Sequence, residues 1–165
     1  MSATAILDEA AVRSALAEVH DPEIPVVSIV DLGMVERVEV GPDEIRVELL
    51  PTFVGCPALD VIRASVEDRL DRFGRSLDVR FVHRVPWTSD RITPEGREQL
   101  RASGFAPPQP GGGELPVLVQ LATPVACPHC DSNRTVLENA FGPAQCRAIY
   151  HCTACRQPFE AFKPV

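Results

Sequence analysis

The sequence predicts an α+β chain in two parts: a small α-β-β-α-β domain with its helices on one face of a sheet, then a small β module built around paired cysteines. Three observations carry this. Apolar residues recur at helical spacing over residues 7–19 and again over 59–70. Between them, apolar residues alternate along two short runs separated by Gly41-Pro42-Asp43, the pattern of a hairpin with one buried face. Near the end stand Cys127-Pro128-His129-Cys130 and Cys152-Thr153-Ala154-Cys155, with 21 residues between the pairs.

In chain order, the first helix places Leu7, Ala11, Val12, Ala15, Leu16 and Val19 on one face. Asp21-Pro22 ends it, because proline disfavours helical geometry in the residue before it. Residues 21–33 read as an extended, irregular stretch. Val35 to Val40 is a strand, and Ile45, Val47 and Leu49 mark its partner. After a loop from Pro51 to Pro57, a second helix buries Leu59, Ile62, Val66 and Leu70 and closes near Gly74. Pro57 suits its first turn, where a missing N–H costs nothing. Val79, Phe81 and His83 mark a third strand within residues 78–85.

Thr93-Pro94-Glu95 starts a short helix that runs to Gly104. Ala-Pro-Pro-Gln-Pro-Gly-Gly-Gly at residues 106–113 is the clearest linker. The expected organisation is therefore a domain of residues 1–105, a linker of 106–114 and a module of 115–165. Within the module, Val117 to Leu121, Arg134 to Asn139 and Arg147 to His151 read as strands.

A chain of 165 residues, 45% of them hydrophobic, can build one medium domain, or a smaller one with an appendage. No apolar run is long enough to cross a bilayer. Residues 1–20 lack the basic start and apolar core of a signal peptide. The cytoplasm is the expected compartment, where thiols stay reduced and paired cysteines favour metal over disulfides. The net charge of −7 is uneven: residues 1–90 carry nine arginines and no lysine against 17 carboxylates. Such a surface repels phosphate, so nucleic acid is not expected as a partner, and without a spanning segment neither is a membrane; the acidic surface serves solubility or docking to a basic partner.

Two Cys-x-x-Cys turns about twenty residues apart are what a four-thiolate site needs, since each turn aims two sulphurs at one point. Zinc suits Cys127, Cys130, Cys152 and Cys155 because it is tetrahedral, redox-silent and borderline soft, and the module is expected to be zinc-ribbon-like. Zinc-finger peptides gain roughly 10–16 kcal/mol from such binding, which in so small a module supplies much of the folding free energy. An iron–sulphur cluster also takes four cysteines, and a disulfide or redox pair is a further alternative. Cys146, His129 and His151 lie close in sequence; Cys146 is an accessory ligand, a partner for Cys56, or a small buried hydrophobe.

The sixth cysteine stands in Gly55-Cys56-Pro57, where a loop meets a helix N-terminus and the backbone N–H groups favour a thiolate. Asp21, Glu23 and Asp31 occupy the other irregular loop; with Cys56 they are a candidate set for holding a metal transiently, against the plain alternative of turn-capping groups. His20, His83 and Trp87 read as structural. No Ser-His-Asp order, P-loop or dinucleotide-binding glycine pattern is present.

Asp21-Pro22-Glu23-Ile24-Pro25, then Asp31-Leu32-Gly33-Met34-Val35, then Pro51 to Pro57 resemble the iron–sulphur assembly domain of the SufT type, over residues 7–85. Cys127 to Ser132, Phe141-Gly142, Cys146 and Cys152 to Lys163 resemble the C-terminal region of the D subunits of phenylacetyl-CoA epoxidase systems. That family usually continues its first knuckle Cys-Gly-Ser, where this chain has Cys130-Asp131-Ser132; Asp also adopts positive φ, so the loss should be small.

The resemblance implies an accessory protein without catalytic activity of its own. It would act in aerobic phenylacetate breakdown by loading or repairing the metal or iron–sulphur centre of partner subunits, the reductase or oxygenase component above all. Cys56 with Asp21, Glu23 and Asp31 would handle iron or a cluster transiently, while the ribbon holds zinc. The competing expectation is an electron-transfer or oxygenase component whose ribbon cysteines hold redox iron. Against an oxygenase stands the absence of a carboxylate–histidine set at helical spacing for a di-iron site.

Overall fold

The computed structural model describes residues 7–109, 111 and 124–163. They form two compact units, Met1–Pro51 with Pro57–Pro86, and Thr52–Cys56 with Trp87–Val165.

In the first unit, α1 (Glu9–Leu16) opens on Asp8, whose Oδ1 accepts the Ala11 N–H at 2.8 Å, and buries Val12, Ala15 and Leu16. It ends well before Asp21-Pro22, the expected stop. Val19 already leaves the helix: its carbonyl accepts the Ile29 N–H at 2.9 Å, which draws residues 20–28 into a ribbon. That ribbon pairs β1 (His20–Asp21) antiparallel with β2 (Ile24–Ser28), so the stretch expected to be irregular is in part a small hairpin. Val27, Ile29, Leu32 and Met34 are fully buried along it.

The main sheet has the order β3-β4-β5. β3 (Val35–Val40) and β4 (Glu44–Leu49) are the predicted hairpin, closed by Gly41 N–H on the Glu44 carbonyl at 2.8 Å. α2 (Leu59–Asp71) then carries the chain to β5 (Ser76–Phe81), which lies parallel to β4 in register from Glu44↔Ser76 to Leu49↔Phe81. A parallel neighbour requires such a crossover, and the helix supplies it. Pro57 falls outside the helix it was expected to open, because α2 begins at Leu59.

Period-two alternation decides which face is covered. Ile45, Val47 and Leu49 are fully buried, as are Ile62, Val66 and Leu70 of α2 and Val12, Ala15 and Leu16 of α1, with α1 packed on β3 and α2 on β5 and α1. The other face of the same strands is a charged lattice. Glu39, Arg46 and Asp78 stand side by side across the three strands, as do Arg37, Glu48 and Arg80. Arg46 reaches Asp78 at 2.8 Å, Glu39 at 3.1 Å and Glu44 at 2.9 Å; Arg84 pairs with Glu48, and Arg80 with Asp78.

In the second unit a 3-10 turn (Ser89–Arg91) leads to α3 (Pro94–Ala102), capped by Thr93 Oγ1, which accepts the Gly96 N–H at 3.0 Å. β6 (Phe105–Ala106), β7 (Thr135–Asn139), β8 (Arg147–Cys152) and β9 (Pro158–Phe162) form one sheet in the order β6-β9-β8-β7. β8 is antiparallel to both its neighbours, and β6 joins β9 in parallel. Tyr150 stacks on Phe159 with ring centroids 5.8 Å apart, and Trp87 meets Phe162 at 5.7 Å.

The compact units therefore divide elsewhere than at residues 105 and 115. α3 and β6 belong with the cysteine module, because β6 is a strand of its sheet. Arg147 reinforces this from β8: its guanidinium lies 5.2 Å from the Phe105 ring and bonds Glu160 at 2.8 Å. The start of the Pro-Gly stretch is fastened too. Arg97 donates to the carbonyls of Ser89 and Pro108, and Asp90 accepts the Gly111 N–H at 2.8 Å. The strand expected at Val117 to Leu121 lies outside the described residues. β9 was not anticipated, because its five residues open on a proline and show only a brief alternation.

The charged lattice makes stability pH-dependent. Hydrogen bonds from Arg80 and Arg46 hold Asp78 below its usual carboxyl range, and one from Arg84 does the same for Glu48. A carboxylate with depressed pKa stabilises the fold above its unfolded pKa and loses that contribution as pH falls through its folded one. The thermal midpoint should hold steady from pH 7 to about 5 and fall below about pH 4. In Arg46→Met the fall should be shallower; an unchanged acid limb in the variant would remove the lattice from the explanation.

Candidate metal centre

The two cysteine pairs fold into the same turn. Cys127 N–H donates to the Ser132 carbonyl at 3.0 Å, and Asp131 N–H to the Cys127 carbonyl at 2.9 Å. At identical offsets, Cys152 N–H donates to Gln157 at 3.0 Å and Arg156 N–H to Cys152 at 2.8 Å. The residue after each second cysteine is left-handed, Asp131 at φ 60° and Arg156 at φ 63°. Asp131 thus takes the conformation expected of it where a glycine is usual. Arg156 plays the same part in the second turn, which the sequence reading missed; the signal was its equal offset from the cysteine pair.

The turns meet back to back. Thr153 donates from its N–H (2.8 Å) and its hydroxyl (2.9 Å) to the Arg134 carbonyl, and Thr135 Oγ1 donates to the Val125 carbonyl at 2.7 Å. The outcome is four sulphurs within 4.8 Å of one another, Cys127 with Cys155 at 3.7 Å and Cys130 with Cys152 at 3.6 Å. None of the six cysteines is in a disulfide.

This geometry tests the metal. Zinc–sulphur bonds of about 2.3 Å, tetrahedrally arranged, put sulphurs about 3.8 Å apart. The spacings of 3.6 and 3.7 Å fit one such ion, whereas a cluster interposes several irons and bridging sulphides between its thiolates. The charges fit as well. Backbone N–H groups of Cys155 and Ala154 favour the Cys152 thiolate and bring its pKa down to about 6 despite burial. At Cys155 the Gln157 N–H pulls the same way, but burial and the three neighbouring sulphurs outweigh it and push the pKa up to about 12. Burial raises Cys127 against the N–H groups of His129 and Cys130. A divalent cation is what lets all four ionise together.

The other candidates lie outside this set. Cys146 stands at the end of the β7–β8 loop, its carbonyl accepting the Lys163 N–H at 2.8 Å. His129 lies beside Gly104, just past α3, where an added Cβ would stand 3.3 Å from its Cε1, and Asp131 pairs with Arg101. In the first unit, buried Asp21 closes the β1–β2 turn: its Oδ1 accepts the N–H groups of Glu23 (2.7 Å) and Ile24 (3.2 Å). Asp31 accepts from the Ser28 hydroxyl at 2.9 Å, and Ser28 Oγ accepts the Asp31 N–H at 3.0 Å. Cys56 is half-buried in the Thr52–Cys56 segment of the second unit, in a turn where its N–H donates to the Phe53 carbonyl and Gly55 takes φ 81°.

Known proteins resemble the chain along the same lines. Residues 9–75 match the family profile described as iron-sulfur cluster assembly protein, and residues 114–163 the one described as the PaaD zinc beta ribbon domain. The putative D subunit of the 1,2-phenylacetyl-CoA epoxidase of Escherichia coli (strain K12) is 37% identical over 150 residues, 90% of this chain and 88% of that one. The chain belongs to the family of phenylacetyl-CoA epoxidase D subunits. Beyond this family, the assembly-type part has wider relatives. The iron-sulfur cluster carrier protein of Mycobacterium tuberculosis (strain ATCC 25618 / H37Rv) is 36% identical over 93 residues, 56% of this chain but only 23% of that protein.

Among solved structures, a domain of unknown function (DUF59) from Bacillus anthracis matches 56% of this chain and 90% of its own, at 27% identity and TM-score 0.53. A conserved hypothetical protein from Thermotoga maritima matches 57% of this chain and 94% of its own, at 26% identity and TM-score 0.50. Among the described residues, no helix is long and apolar enough to cross a membrane.

For this member of the D-subunit family, two outcomes follow. Arg156→Gly should keep zinc and gain about 0.5–1 kcal/mol, the left-handed strain relieved less the entropy that glycine adds to the unfolded chain. Arg156→Val should weaken zinc binding by roughly tenfold in a chelator competition. Zinc affinity should also fall with pH, since the metal displaces protons from Cys127 and Cys155, and fall more steeply below about pH 6, where Cys152 takes up a proton.

Proposed function

We propose that this chain is an accessory, non-catalytic component of a phenylacetyl-CoA epoxidase system, acting in aerobic phenylacetate breakdown to load or repair the metal or iron–sulphur centre of a partner subunit. The observation that carries the reading is the pairing, in one chain of the D-subunit family, of an assembly-type domain with a closed four-thiolate ribbon. A ribbon whose four ligands all come from the protein has no open position for substrate, which is the mark of a structural zinc. The ribbon therefore serves to hold shape and dock partners, and the reactive chemistry falls to Cys56.

Cys56 is the thiol that accepts iron or a cluster and passes it on, and the recipient is the reductase or oxygenase component. Asp21, Glu23 and Asp31 belong to the same proposal, by the resemblance of their loop to the assembly domain. Their structural work is separable from their charge: Asp21→Asn keeps the Oδ1 acceptor that closes the β1–β2 turn and removes only the negative charge. The work takes place in the cytoplasm, where thiols are reduced.

The decisive experiment produces the partner subunits in cells carrying Cys56→Ser. The variant should fold and bind one zinc like the parent, while the partner reductase accumulates with less than a fifth of its normal iron and sulphide. Full cluster occupancy in that strain would take Cys56 out of the mechanism. A drop in Asp21→Asn as large as in Cys56→Ser would assign the Asp21 charge, rather than its turn, to the same task.

A further inference from the structure

A sheet edge is a row of unpaired N–H and C=O groups, and folds usually blunt it with a bulge, a proline or a very short strand. Among the described residues this chain does so at every edge but one. β3 carries a bulge between Val35 and Arg37, and β7 another between Leu137 and Asn139. The β1–β2 ribbon shifts register at His20–Asp21, and β6 is two residues long. β5 has none of these devices. Among the described residues β4 is its one strand partner, and the two keep unbroken register over all six residues of β5, none of them a proline.

The bonds to β4 fix which groups β5 leaves free. Ser76 N–H donates to the Asp43 carbonyl at 3.0 Å and Val82 N–H to the Leu49 carbonyl at 2.8 Å, so the even-numbered residues turn their backbone toward β4. Leu77, Val79 and Phe81 turn theirs outward. Their side chains share the face of Ile45, Val47 and Leu49, yet they are half-buried where those three are fully buried. The apolar face thus stops short of being covered at its edge.

We propose that β5 is the interface with a second copy of this chain: two β5 strands pair antiparallel about a two-fold axis at Val79 and join two three-stranded sheets into one of six. The residue order is its own complement. With Val79 opposite the partner's Val79, Leu77 meets the partner's Phe81 and Asp78 meets the partner's Arg80. The outward N–H and C=O groups of Leu77, Val79 and Phe81 then exchange paired bonds. Asp78 and Arg80 fall at the positions between, where facing side chains come closest. Arg80 is half-exposed and already bonds Asp78 within its own chain, so two carboxylates and two guanidinium groups close one set across the axis. Moving the axis by one residue, to Asp78 or to Arg80, sets like charges face to face, which fixes the register. A contact of this symmetry closes at two copies and leaves neither β5 with a free edge.

The test uses full-length zinc-loaded protein. In sedimentation velocity over a concentration series, the parent should reach a species of twice its 18.0 kDa. Asp78→Arg and Arg80→Asp should each dimerise about tenfold more weakly, since each sets two like-charge pairs beside the axis. Mixed in equal amounts they should form a heterodimer as tight as the parent's, because one chain then brings only arginines to these positions and the other only aspartates. Hydrogen exchange on the parent reads the same strand without any variant. The amides of Leu77, Val79 and Phe81 should slow as the protein dimerises. A parent that stays monomeric, or exchange at those amides that ignores concentration, would overturn the proposal. So would single variants that dimerise as tightly as the parent, or a mixture that gains nothing over either alone while both keep the parent's far-UV spectrum.

Discussion

Four sulphurs within 4.8 Å of one another are tolerable only if something gathers their charge, and the second unit is arranged around that constraint. Protonated, the thiols crowd without strong attraction; ionised, they repel. A divalent cation converts the cluster from a liability into the strongest cross-link available to so small a sheet. The turns that present the sulphurs also start and stop strands: Cys152 closes β8, and the residues after the second pair enter β9. β6, added in parallel to β9, belongs to the same sheet, and α3 meets the first knuckle through the Arg101–Asp131 pair.

The first unit rests on ordinary burial. Its sheet has a dry face made by Ile45, Val47 and Leu49 and a wet face where arginines and carboxylates alternate. Such exposed pairs contribute little individually. Their value lies in specifying which strand sits beside which, since Arg46 finds a carboxylate on each neighbouring strand only in this register. The two units thus illustrate two routes to a small fold, one through apolar area and the other through metal.

Legibility in the sequence followed the physics of each part. α2, β3 and β4 were readable because one-sided burial prints a period into the residues. The ligand set was readable because a tetrahedral ion demands two pairs at a suitable separation. β9, β6 and the left-handed Arg156 were not. β9 opens on a proline and alternates only briefly, and β6, two residues long, becomes a strand only because β9 lies beside it. Nor could composition place α3: its Thr93 cap and Pro94 start mark a helix but say nothing of which sheet receives it. The stretch of residues 21–33 hid a hairpin because its pairing is fixed by the Asp21 turn, a side-chain bond with no periodic signature.

The segment Thr52–Cys56 has a further implication. It lies in the middle of the first unit's sequence, yet it forms a compact body with residues from Trp87 onward. No single backbone cut can therefore divide the chain into its two compact units. A polypeptide ending at Pro86 would carry the whole assembly-type sequence, Cys56 included, but would part that cysteine from the compact unit it belongs to. Gene fission at this boundary, or the exchange of one ribbon for another, would alter the thiol's setting without changing a residue near it in sequence.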